Sequence, residues 1–334
     1  MDAFKVIEKS HMAFKLSPFS VRQLLFLDKA PADIYGLKNN MFTKIIKANT
    51  VLNREIIREL IAEGQIKIFI YTDEAHKLIS AQQENLRRIT RSLSIGDPLK
   101  NAKLQMNLLT IHMEFLYQDP TNDDILNLQA QSIKNLAVFL IQNIGLHEKL
   151  YNEYIKQKHH FIFAQPMISS LFLTGVLKIS KMYSDREIEL LFITSYFKDI
   201  GMSAIPVEKY NQKDLSQKEK QIFNNHPLES IKILNGRISL GPNHIKIIEN
   251  HHTFSLLQKE LLTDPAPSAQ FITGTETVLV NCMDIIAAMI TGRPYREATN
   301  LFDALDFVRV LVSDEYAHEF RYMVNYFKSF KESV

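Results

Sequence analysis

The chain has 334 residues, 46% of them hydrophobic and 23% charged, with a formal net charge of +2. That balance fits a folded protein long enough for two domains, and a charge so close to neutral gives no electrostatic basis for nucleic-acid binding. A single cysteine, Cys282, excludes an internal disulfide and fits a reducing compartment.

The opening residues, MDAFKVIEKSHMAFKLSPF, have no sustained apolar stretch and no small-residue cleavage site, so no signal peptide is expected. The longest apolar-looking run, LAVFLIQNIGL (136–146), is interrupted by Gln142 and Asn143. It falls short of the ~20 residues that a membrane span needs. A cytoplasmic protein with no membrane contact is the expectation.

Residues 1–73 read as a small α+β domain. MFTKIIK (41–47) and QIKIFIYT (65–72) are rich in β-branched and aromatic residues, with partial alternation, and predict strands. Between them NREIIRELIAEG (53–64) carries Ile56, Ile57, Leu60 and Ile61 at helical spacing and stops at Gly64. PADIYGL (31–37) reads as part of the sheet or as a connecting turn.

From Asp73 onward no strand is expected, and the fold class is mainly α. DEAHKLISAQQENLRRITRSLS (73–94) is a polar helix with a stripe of Leu78, Ile79, Leu86, Ile89 and Leu93, suited to connecting domains or to pairing in a homodimer. GDP (96–98) breaks it. Helices near 99–117, 122–144 and 147–162 complete a connector and bundle region, 74–162. A second domain spans 163–334. Ser184–Glu187 and Ser216–Glu219 are capping boxes. The first opens a helix from Asp185 to Asp199, ended by Gly201 and Pro206. The second opens a helix carrying QIFNNHPLESIKILNG (221–236), in which Pro227 disturbs the second turn. Helices near 242–252 and 275–290 carry His251-His252 and Asp284.

A buried carboxylate such as Asp284, set among Val278, Val280, Met283 and Ile286, needs a partner, a metal or a proton. Any one of these groups alone reads equally as a satisfied core residue. Asp199, His226, His251, His252 and Asp284 on successive helices together form an inventory of nitrogen and oxygen metal ligands.

Their order and spacing resemble the HD-GYP family, helical metal-dependent phosphodiesterases that hydrolyse cyclic di-GMP. The resemblance covers about 163–330. It rests on Asp199-Ile200-Gly201 with Ala204-Ile205-Pro206, on Asn225-His226-Pro227, on His251-His252, and on Asp284 followed by TGRPYR (291–296). It implies an all-α HD-type bundle, metal ligands at Asp199, His226, His251, His252 and Asp284, and phosphate contacts at Arg293 and Arg296.

The departures fall on one side of that site. Gln165-Pro166 stands near the place of the family's first ligand His, with His159 and His160 two turns upstream. Lys198 replaces the His of the His-Asp pair, Met202 replaces a Lys, and the Gly-Tyr-Pro loop is absent from SLLQKELLTDPAPSAQF (255–271). By the family pattern one metal keeps only Asp199 and Asp284, while its neighbour keeps Asp199, His226, His251 and His252. The resemblance therefore implies one divalent ion (iron, manganese or zinc), no second metal, and impaired or absent hydrolysis. Lys198 cannot ligate a metal while protonated. It either neutralises Asp199 and Asp284 or snorkels to solvent. The functional expectation is a degenerate signalling protein that binds cyclic di-GMP or a protein partner; the alternative is an active phosphodiesterase with a rearranged metal site.

Overall fold

Asn39 and Asn40 both adopt positive φ (48° and 62°) and turn the chain back on itself in two residues. Asparagine tolerates this left-handed conformation, which matches the twist of the strands it joins. The hairpin pairs β2 (Ile34–Lys38) with β3 (Met41–Ile46), so PADIYGL supplies a strand rather than a turn. With β1 (Leu16–Ser20) and β4 (Lys67–Tyr71) they form an antiparallel sheet ordered β1-β4-β2-β3. Its buried residues include Phe19, Ile34, Ile46, Ile68 and Ile70. Helix α1 (Arg54–Ala62) is capped by the Asn53 side chain, which accepts from the Ile56 amide at 2.8 Å. The β1 segment, LSPFS, was too short and too broken by Pro18 to read as a strand.

The computed structural model describes residues 15–252, 274–312 and 315–330. The chain divides into two units, residues 1–91 and 92–334. Helix α2 (Ala75–Ser92), which reads from sequence as a connector, is built into the first unit. Its stripe residues Leu78 and Leu86 are buried, and between them the buried Gln82 amide donates to the carbonyls of Gln23 and Leu25. A polar residue that satisfies loop carbonyls is invisible to a count of apolar periodicity.

Among its described residues the second unit has helices and no strand, with one isolated β-bridge between Arg293 and Arg296. It comprises α3 (Pro98–Gln118), α4 (Asp123–Gln142), α5 (His147–Ile155), α6 (Phe161–Ser180), α7 (Asp185–Phe197), α8 (Gln217–Asn224), α9 (His226–Leu234), α10 (Pro242–Asn250), α11 (Thr275–Ile290), α12 (Leu301–Val312) and α13 (Ala317–Phe327). Both capping boxes form as expected. The helix expected over 147–162 stops at Ile155, because Lys158 turns left-handed (φ 50°) and His160 caps a new helix. The helix expected through His226 is two: Pro227 has no amide to bond the Phe223 carbonyl four residues back and its ring crowds that carbonyl, so the run breaks at Asn225 and α9 restarts with Pro227 in its first turn. Residues 253–273, where the Gly-Tyr-Pro loop would fall, lie outside those described.

Helix α6 is apolar all round, and 20 residues long, which is enough by length and composition to cross a bilayer. It is instead the central helix of this unit, packed by α7, α11, α13, α3, α4 and α5. The longest apolar helix is therefore Phe161–Ser180, not the 136–146 run that the sequence suggests. Gly175 gives α6 its closest neighbour: a Cβ there would meet the Tyr326 ring at 2.0 Å. Tyr326 lies among Phe172, Phe327 and Phe330, and its hydroxyl donates to Nδ1 of the buried His147 at 2.9 Å. His147 Nε2 must then donate to the Leu140 carbonyl, at 3.0 Å.

This arrangement requires neutral imidazole. Burial, only partly opposed by the Leu140 carbonyl, lowers the His147 pKa from 6.5 to about 4. Between those values the unfolded chain binds a proton that the folded chain does not, so stability is intact above pH ~6.5 and is lost as pH falls towards 4. The slope contributed is about 1.4 kcal/mol per pH unit. Denaturant titrations from pH 7 to 4.5 are expected to show a shallower decline in His147→Gln than in the natural chain; equal slopes would exclude this role.

Candidate metal centre

Helix α7 delivers two residues at its end. Lys198 is the C-cap and Asp199 begins the following 3-10 turn, Ile200–Ala204. The turn is held from two sides. The Tyr117 hydroxyl on α3 donates to the Asp199 carbonyl at 3.1 Å, and the Gly201 amide donates to Ser230 Oγ on α9 at 2.8 Å. Gly201 has no room for a side chain: a Cβ would stand 2.2 Å from the His226 carbonyl oxygen and 2.5 Å from the Ser230 amide. That close approach sets the start of α9, and with it His226, against Asp199. His251, the C-cap of α10, and His252 arrive from the far side.

Asp199, His226, His251 and His252 each offer a ligand atom within 4.8 Å of all the others. His251 Nε2 lies 2.9 Å and His226 Nε2 3.3 Å from Asp199 Oδ1. The two Nε2 atoms are 3.2 Å apart, and His252 Nε2 is 3.1 Å from that of His226. The Nδ1 atoms of His226 and His251 face the carbonyls of Phe223 and Ile248. A carbonyl only accepts, so each Nδ1 carries the proton and each Nε2 presents a lone pair. Lone pairs from two imidazoles thus converge with a carboxylate oxygen, an arrangement that calls for a positive centre, either a proton or a metal ion. Burial lowers the pKa of His251, with the Lys198 charge adding to it, and lowers that of His252 well below 6.5, with the neighbouring imidazoles adding to it. Imidazoles oriented at Nδ1 by backbone carbonyls and grouped with one carboxylate are the donor chemistry of a divalent transition-metal site.

Lys198 does not snorkel. It is 0% exposed, and its Nζ contacts Asp199 Oδ2 and lies 2.7 Å from Asp284 Oδ1. Burial favours the neutral amine, but the two carboxylate charges outweigh it and raise the Lys198 pKa. Burial likewise opposes ionisation of Asp199, yet the adjacent ammonium holds its carboxyl well below the usual range. Asp284 is thereby drawn to the lysine, outside the four-residue cluster.

The side chain at position 165 enters the same network. Gln165 Nε2 donates to Asp284 Oδ1 at 3.1 Å, and its Oε1 accepts from Arg293 Nη2 at 3.3 Å. The sequence marked Gln165 only as the lack of a histidine. His159 and His160 are bonded elsewhere, to Asn107 at 2.7 Å and Asn211 at 2.9 Å. A cleft of about 470 Å³ opens beside the cluster, bordered by Met202, Phe161, Tyr210, Lys213, Lys220, Arg293, Tyr295 and Arg296. The Arg293 guanidinium sits 5.0 Å above the Phe161 ring. Arg296 turns back onto the last carbonyls of α11, those of Ala288 and Thr291, where a cation complements the helix end.

No protein-family model and no curated relative matches this chain. A solved structure does: Bd1817, a HDG"Y"P protein from Bdellovibrio bacteriovorus, with a TM-score of 0.63 over 94% of this chain and 99% of that one, at 16% identity. The helical arrangement is therefore that of an HD-GYP protein, and at such identity the likeness speaks for the fold alone.

Proposed function

We propose that this chain is a degenerate HD-GYP signalling protein. It holds one divalent ion on Asp199, His226, His251 and His252, and receives cyclic di-GMP, or a partner responding to it, in the adjoining cleft with little or no hydrolysis. The observation that carries this reading is Lys198, buried between Asp199 and Asp284 on the side where a second metal would need those carboxylates. Paired-metal phosphodiester hydrolysis relies on two ions to stabilise the attacking and the leaving oxygens. A single bound ion supplies Lewis-acid polarisation of a phosphoryl oxygen. The protein's own part is to orient the imidazoles through backbone carbonyls and to offer Arg293, braced by Phe161 and Gln165, to a phosphate.

Elemental analysis of the purified protein, with calorimetric titration of cyclic di-GMP and a turnover assay in manganese or ferrous iron, tests this. About one metal per chain with binding and no turnover is the expected result. Two metals with turnover would establish an active phosphodiesterase instead. No metal at all would leave the histidines as structural remnants. Lys198→His alone is expected not to yield turnover, because Gln165 still occupies the place beside Asp284; hydrolysis by that single variant would show this ligand count to be wrong.

A further inference from the structure

The two oxygens of Asp199 face different neighbours. Oδ1 is turned to the imidazoles of His226 and His251, while Oδ2 meets the Lys198 ammonium. Asp284 Oδ1 meets the same ammonium and also receives the Gln165 amide. Two carboxylates thus converge on one positive charge that solvent does not reach.

We infer that Lys198 is a resident counter-cation: its ammonium occupies a cation seat made by Asp199 and Asp284, so that the domain stays folded without metal and the histidine cluster takes its ion against a fixed positive charge. The ammonium is covalently attached, cannot diffuse away and needs no metal supply. Without it the two carboxylates would lie together in a buried site, which is strongly unfavourable unless a cation or a proton arrives. With it, any divalent ion bound to Asp199 Oδ1 is repelled by a charge on the other oxygen of the same carboxylate, through a medium that screens poorly.

The affinity consequence rests on the histidine cluster being a metal seat, as proposed above; the stability consequence does not. Both are read with Lys198→Met, which keeps the apolar stem and removes the charge. In chelator-treated protein the melting temperature of Lys198→Met is expected to fall by roughly 10 °C. The natural chain, chelated or not, should remain folded at ambient temperature. Manganese added to Lys198→Met should restore most of the loss, and its dissociation constant should be at least ~10-fold lower than that of the natural chain. Lys198→Met/Asp284→Asn, which removes one carboxylate together with the ammonium, should recover stability without metal.

An unchanged melting temperature in Lys198→Met, or failure of the double variant to recover when the single variant is lost, would overturn the inference and leave Lys198 as a space-filling stem. Metal affinity unchanged by Lys198→Met would overturn the repulsion it describes. If the natural chain and Lys198→Met both bind no manganese, the metal reading fails, while the melting temperatures of the single and double variants still decide the role of the lysine.

Discussion

Replacing Gly201 with alanine is expected to disable the candidate metal centre without touching any of the four side chains that compose it. The added methyl would lie 2.2 Å from the His226 carbonyl and 2.5 Å from the Ser230 amide, both backbone atoms that cannot rotate aside. The 3-10 turn and the start of α9 must move apart. Overpacking of this kind costs about 1–3 kcal/mol, and more where backbone must shift. The same movement draws His226 away from Asp199. Second-sphere disturbances of metal sites typically cost about 10–100-fold in affinity, so manganese binding is expected to fall by ~100-fold while the chain remains folded. Ser230→Ala is the comparison: it removes only the hydroxyl that accepts from the Gly201 amide, at a cost of about 1–3 kcal/mol for an unpaired buried group, and should weaken metal binding far less. Equal metal binding in Gly201→Ala and the natural chain would contradict the packing argument.

The second large effect belongs to Asp199. Asp199→Asn removes a donor from the cluster and at the same time halves the negative charge around Lys198. Breaking a buried charge pair by removal of one partner costs about 3–5 kcal/mol, some of it recovered here because Asp284 remains. Manganese affinity is expected to drop by more than ~100-fold, since a direct donor is lost rather than an outer one. His251→Ala separates the two consequences: it too should abolish metal binding, yet it leaves both carboxylates on Lys198 and should retain more stability. Denaturant unfolding of the two variants in chelator is the deciding measurement. Greater loss in His251→Ala than in Asp199→Asn would mean that Lys198 does not depend on Asp199.

The sequence carried much of this site and little of its context. Both capping boxes, the end of α7 at Lys198-Asp199, and the range of α11 could be read because each rests on local chemistry: a hydroxyl and a carboxylate three residues apart, a glycine or a proline after a helix. The break between α8 and α9 was legible in principle, since Pro227 lacks the amide that a continuous helix needs, but the apolar spacing on either side favours one continuous helix. The ambiguity over Lys198, buried ammonium or solvent-seeking stem, is resolved by burial and by Asp284, which α11 brings to it from 86 residues away and which has no local signature. Gln165 shows the same limit from the other side. Its identity marked a missing ligand, whereas its donation to Asp284 and its acceptance from Arg293 are long-range contacts spanning three segments of chain. Tyr117, which anchors the Asp199 carbonyl from α3, could not have been singled out among the apolar residues around it.

The Tyr326 ring over Gly175 has a bearing on how the second unit is made. Helix α6 leaves the ribosome well before α13, yet its notch at Gly175 is shaped for a ring that arrives with the final described helix. During synthesis α6, the most apolar of the described helices, therefore waits with one flank uncovered. Until α13 is made the Gly175 notch stays open, and an uncovered apolar flank of this kind is where a partly made chain is prone to aggregate.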